Sequence, residues 1–234
     1  MSTIDFSRFA ALTFDCYGTL IDWEAGILAA LDPLLAGLSP RPSRDALIAA
    51  YARHEREAEA GPYRPYREVL AIVLTGLARE FGFPIRADQA WSLADSLPSW
   101  PAFAETPAAL ARLKSRYRLA ILSNIDNDLF DAPSGSRVRL GVPIDVLVTA
   151  QEVRSYKPGR AHFDEGRRRL DLSPDRVLHI AESRFHDVTP ASALGFATVW
   201  VNRRGGKPSA SGEAGARADF EVPDLSTLVA LMGL

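Results

Sequence analysis

The chain has one cysteine, Cys16, among its 234 residues, so an intrachain disulfide is excluded and the usage suits a reducing cytoplasm. An excess of one charge is also missing. Lys and Arg number 27 against 29 Asp and Glu, a net charge of −2, which gives no reason to invoke nucleic acid or an anionic membrane as partner. No apolar run reaches the ~20 residues of a membrane span. The opening MSTIDFSRF has no basic stretch followed by an apolar signal core. A soluble, cytoplasmic protein is therefore expected. No internal repeat is evident. What the chain does have is apolar content, 47% hydrophobic, enough for a substantial core in one large domain or two smaller ones.

The most informative segment is the apolar run Phe9-Ala10-Ala11-Leu12-Thr13-Phe14, followed at once by Asp15-Cys16-Tyr17-Gly18-Thr19. Such a run reads as a strand covered on both faces, as in a parallel sheet packed between helices. Open α/β sheets bind ligands at the carboxyl ends of their strands. Asp15 is thus placed where a nucleophile can work, Gly18 allows a sharp turn, and Thr19 offers a hydroxyl and an N–H to an anion. Cys16 points to the opposite face and is expected in the core.

DCYGTL resembles the first motif of the haloacid dehalogenase superfamily, in particular its 2-haloacid dehalogenase branch. Three further segments agree in order. Tyr117 to Leu122 followed by Ser123-Asn124 resembles the second motif, which binds the substrate's anionic group. Ser155-Tyr156-Lys157-Pro158 resembles the third, whose lysine pairs with the nucleophile. The run from Val177 to Asp187, then Gly195 to Arg203, resembles the fourth. The resemblance implies a Rossmann-like parallel sheet core flanked by helices, residues 1–21 and 101–234, with a helical cap domain, 22–100, inserted after the first strand. It also implies hydrolytic dehalogenation of a small, anionic 2-haloacid through an aspartyl ester. In that scheme Asp15, Lys157 and Asp187 are catalytic, and Tyr17, Thr19, Ser123 and Asn124 face the substrate. A cap arginine, Arg53 or Arg56, helps hold the departing halide. Relatives often form homodimers.

Two departures matter. Superfamily phosphatases carry an acid two residues after the nucleophile to protonate a leaving alkoxide; here Tyr17 stands there, and a halide needs no proton. Well-known 2-haloacid dehalogenases have serine and asparagine where this chain has Glu182 and Arg184, and they work without metal. Glu182 and Asp187, five positions apart, have the spacing with which phosphatases hold magnesium. With Asp15 they form a possible Mg2+ site, unless Glu182 is occupied by Lys157 or Arg184. The favoured reading requires no cofactor. The competing ones are a magnesium-dependent phosphatase and a non-catalytic small-anion binding protein.

Between Asp22 and Trp100 the pattern is helical. Tyr66, Val69, Leu70, Val73, Leu74, Leu77 and Phe81 mark a helix near Pro65 to Phe81, with Pro65 in its first turn. Leu47, Ala50, Tyr51, His54 and Ala58 mark another, with Arg53, Glu55, Arg56 and Glu59 placed mostly on its other faces. Gly61 to Tyr66 is either a pocket rim or an ordinary turn. Thr106 and Pro107 suit the cap and first position of a helix. Asp131 to Ser136 and Arg203 to Asp219 read as loops. His54, His162 and His179 are assigned to core or surface, and His186 to a capping or structural role.

Overall fold

The computed structural model describes residues 5–205 and 216–234. Among them, six strands form one parallel sheet: β1 (Ala11–Phe14), β2 (Arg118–Ser123), β3 (Val146–Thr149), β4 (Val177–Ala181), β5 (Ala197–Val201) and β6 (Phe220–Val222). Their spatial order is β3-β2-β1-β4-β5-β6. All four residues of β1 are buried, which is what a central strand covered on both faces demands and why its sequence is a continuous apolar run. The chain moves outward from β1 through β2 to β3, then returns to β4 on the other flank of β1. That reversal opens a crevice at the carboxyl ends of β1 and β4. Phe14 lies level with Ile121 in β2 and Ile180 in β4, so Asp15, Leu122 and Ala181 follow at one height, with Ser123 and Glu182 just beyond.

Helices α1 (Trp23–Leu31), α2 (Arg44–Glu59), α3 (Tyr66–Phe81), α4 (Ser92–Ser96) and α5 (Thr106–Lys114) lie between β1 and β2, and those inserted after β1 form the cap region. The insert is tied at its base. Asp22 N–H donates to Pro101 O (2.8 Å) and Phe103 N–H to Leu20 O (3.1 Å). The rest are α6 (Asn127–Phe130), α7 (Ser136–Arg139), α8 (Ala150–Val153), α9 (Ala161–Leu170), α10 (Thr189–Ala193) and α11 (Leu225–Leu231).

The helix expected from Pro65 to Phe81 runs from Tyr66, with Pro65 just outside its first turn. Thr106 does not cap α5 as expected: its hydroxyl is taken by Leu20 O (3.1 Å) at the base of the insert, and Glu105 precedes the helix instead. Ser136, expected in a loop, opens α7. Of the loop expected from Arg203 to Asp219, residues 206–215 lie outside the described residues. Cys16 is buried in the core, as its place in the strand pattern requires.

The segment 61–66 joins cap to core. Tyr63 hydroxyl donates to Asp126 Oδ1 (3.2 Å), its ring stacks on Tyr156, and Tyr156 hydroxyl donates to Arg64 O (2.8 Å).

Candidate active site

Asp15 continues the β1 ladder, its N–H donating to Ile180 O (3.2 Å). Lys157, on the loop after α8, reaches it from the neighbouring strand end. Lys157 Nζ donates to Asp15 Oδ1 (2.8 Å), Asp187 Oδ1 (2.7 Å) and Leu122 O (2.9 Å), which engages all three of its donors. Burial alone would pull its pKa down. The charges of Asp15 and Asp187 outweigh burial and hold it above the usual lysine value.

Two carboxylates therefore share one ammonium, and they are not equivalent. Burial opposes ionisation of Asp187, but the Lys157 charge and a hydrogen bond from His179 overcome it and bring its pKa to about 2. For Asp15, burial dominates, with Lys157 pulling back and the Asp187 charge pushing further up, so its pKa lies above the ordinary value.

A chain of buried side chains stands behind Asp187. Thr13 in β1 and His179 in β4 are register partners, and Thr13 Oγ1 lies 2.9 Å from His179 Nδ1. His179 Nε2 lies 3.1 Å from Asp187 Oδ1. An ionised carboxylate only accepts, so Nε2 carries the proton and Nδ1 accepts from Thr13.

On the other side, Gly18 takes a positive φ of 99° that lets the chain turn back. The turn brings Thr19 Oγ1 to donate to Asp15 Oδ2 (2.9 Å) while accepting from Glu182 N–H (2.9 Å). The expectation that this hydroxyl meets the substrate is corrected: it is fully buried and committed to Asp15.

The other residues singled out from sequence divide. Ser123 Oγ is buried, lines the cavity over Asp15 and has no hydrogen-bond partner among the described residues. Asn124 also lines that cavity, but its amide is turned to Lys157, accepting from the backbone N–H (2.8 Å) and donating to the carbonyl (3.3 Å). It fixes the lysine in place. Tyr17 presents its ring to the cavity, with its hydroxyl on Ser136 Oγ (2.7 Å). Burial pushes that phenol well above its ordinary pKa. Arg53 is not at the site. It pairs with Glu80 on the exposed side of α2, and no arginine is among the described residues lining the cavity.

The cavity is small, about 80 Å³. Its roof comes from the cap, and sequence reasoning missed most of it. Tyr51, Glu55 and Glu59 are spaced by four residues on α2, and Tyr66 opens α3; all four line the cavity. Glu55 and Glu59 therefore belong to the inward stripe. The four-residue step from buried Tyr51 was the available signal, masked because glutamate reads as solvent-facing. Glu55 Oε1 accepts from Tyr51 hydroxyl (3.0 Å) and Tyr66 hydroxyl (2.5 Å). Burial raises the pKa of Glu55, and burial together with the Glu55 charge raises that of Glu59 well above the usual range.

His179, assigned to the core, is in the core and also wired to Asp187. His186 lines the cavity, with burial bringing its pKa down to about 4, so it is neutral near pH 7. His54 bonds Glu80 (2.9 Å) and His162 bonds Ser123 O (3.2 Å).

Lys157 Nζ lies between Asp15 and Asp187 and bonds both. Among the described residues, no three His, Cys, Asp or Glu side chains are grouped to hold a metal. Asp15, Glu182 and Asp187 border the same cavity without forming such a group among the described residues. Glu182 borders the cavity next to Gly18. Arg184 is turned elsewhere, donating to Ala216 O (2.7 Å).

A haloacid dehalogenase-like hydrolase family model matches residues 9–195. The chain belongs to the haloacid dehalogenase-like hydrolases. It is 28% identical over 227 residues to an (S)-2-haloacid dehalogenase of Pseudomonas sp. (strain YL), covering 94% of this chain and 93% of that one. It is 27% identical over 235 residues to haloacetate dehalogenase H-2 of Moraxella sp. (strain B), covering 97% and 99%. A crystal structure of a dehalogenase with an intermediate complex superposes with a TM-score of 0.82 at 24% identity, over 97% of this chain and 98% of that one. Among the described residues, no helix is long and apolar enough to cross a membrane.

Proposed function

We propose that this hydrolase cleaves the carbon–halogen bond of a small 2-haloacid through a covalent ester on Asp15. The observation that carries this reading is the Asp15 carboxylate held between Lys157 and Thr19 beneath a cap-covered cavity, with a hydrogen-bonded, high-pKa phenol two residues on instead of an acid. A halide can leave such a site unprotonated; an alkoxide would lack its proton donor. Similarity along nearly full length to a (S)-2-haloacid dehalogenase supports the substrate class.

Asp15 attacks the halogen-bearing carbon, a C–O bond forms as the C–X bond breaks, and halide departs with the bonding pair. The Ser123 hydroxyl donates to the substrate carboxylate. Lys157 keeps the remaining charge balanced. Water then attacks the ester carbonyl, releasing the 2-hydroxy acid, a proton and free Asp15. Asp187 Oδ2, which has no partner among the described residues, orients that water while Oδ1 stays bonded to Lys157 and His179. No step needs a metal, so chelator is expected to leave the rate unchanged.

Single turnover in 18O-water tests the covalent step. The expected result is heavy oxygen in Asp15 and none in an Asp15→Asn variant. Halide release with an unlabelled Asp15 would remove the ester from the mechanism.

A further inference from the structure

We propose that Glu55 and Glu59 on α2 form a cation-binding subsite in the roof of this cavity, and that the substrate is a small haloacid that also carries an ammonium group. This rests on the Asp15 ester reading for the reacting carbon and extends it to the far end of the molecule.

Charge is the first argument. Two roof carboxylates, Glu55 and Glu59, line the cavity in addition to the Asp15 and Asp187 pair that Lys157 bridges. Lys157 has spent its donors on the floor. An ammonium entering here finds carboxylate acceptors in the roof, which a plain monoanion cannot use. The second argument is how the roof is wired. The Tyr51 and Tyr66 hydroxyls both donate to Glu55 Oε1, fixing that carboxylate as an acceptor toward the cavity. One turn on, Glu59 has no hydrogen bond or ion pair among the described residues and faces the same space. Burial disfavours ionisation of both, and a cation bound beside them favours it.

The third argument is the wall. The rings of Trp23 and Tyr51, 5.5 Å apart, line the cavity beside the two glutamates. Aromatic faces next to carboxylates attract ammonium groups. The buried Ser123 hydroxyl, without a partner among the described residues, lines the same cavity and supplies a donor for a carboxylate. The two poles select a zwitterion with its halogenated carbon between them.

Calorimetric titration of the full chain with 3-aminopropanoate and with propanoate tests the subsite without chemistry. Halide release from 3-amino-2-chloropropanoate and 2-chloropropanoate tests it with chemistry. We expect the ammonium compound to be favoured by about 10-fold or more in each pair, the scale of one charge-assisted hydrogen bond. Glu59→Gln and Glu55→Gln should erase that preference, and Glu59→Asp should keep part of it. Equal binding of the two acids, or a preference that survives both glutamine variants, would overturn the subsite. Failure of the ester reading has a different signature: selective binding of 3-aminopropanoate with no halide release from either chloro compound.

Discussion

Asp15 and Lys157 are 142 positions apart in the chain and 2.8 Å apart in the folded protein. The contact is possible because β1 lies beside β2, and the loop carrying Lys157 is held over that strand end by Asn124. The ammonium separates Asp15 from Asp187. Lys157→Met would leave two buried carboxylates facing each other, and removing one partner of such a pair costs about 3–5 kcal/mol. Urea unfolding should show a loss of that size, with turnover abolished. A variant as stable as the parent would mean the ion pair does not form.

The link from His179 to Asp187 makes a separate prediction. His179→Leu removes one of the donors that keep Asp187 ionised and strands Thr13. We expect about 1–3 kcal/mol of destabilisation. If Asp187 orients water for the second step, the ester should accumulate, visible by rapid-quench mass spectrometry as an Asp15 adduct. An adduct level no higher than in the parent would remove Asp187 from that step.

Acid should destabilise the fold through a histidine outside the chemistry. Burial of His162 brings its pKa from 6.5 to about 3. The unfolded chain takes up this proton as pH falls below 6.5, while the folded one does so only near 3. The contribution is therefore complete above pH 6.5 and is lost as pH drops toward 3. A tenfold difference in proton affinity between the two states corresponds to about 1.4 kcal/mol, so His162→Gln should flatten the stability profile over that window by several kcal/mol. Parallel pH profiles for the two proteins would contradict this.

Gly26 is a packing requirement of the cap. A Cβ there would lie 2.2 Å from Trp100 Cγ, and Trp100 lines the cavity. Gly26→Ala must displace the indole, at a cost of about 1–3 kcal/mol for overpacking. Thermal unfolding should register the loss, and KM should rise because a wall of the cavity moves. An unchanged melting temperature would show that α1 and Trp100 separate at no cost.

Much of the core is legible in sequence because its signals are local. An apolar run ending in Asp15 reads as a buried strand with a carboxylate at its mouth, and the motif order carries Ser123, Lys157 and Asp187 toward the same edge of the sheet. The helix from Tyr66 follows from three- and four-residue spacing. Roles are harder to read than positions. Thr19 reads as a substrate donor, yet its hydroxyl serves Asp15; Asn124 reads as a substrate contact and turns instead to Lys157. Arg53 has the charge to hold a halide but lies on the exposed face of its helix, paired with Glu80.

By itself the sequence determined the strand-end placement of Asp15, the helical insert after it and the family, because strand burial, turn chemistry and motif order depend on neighbours along the chain. Only the tertiary structure decided how the charges are shared. Lys157 takes the position between Asp15 and Asp187, and Glu55 and Glu59 turn inward over them. The physical reason is that a carboxylate's partner is chosen by distance and dielectric in space, and chain spacing fixes neither across a cap folded back onto its sheet.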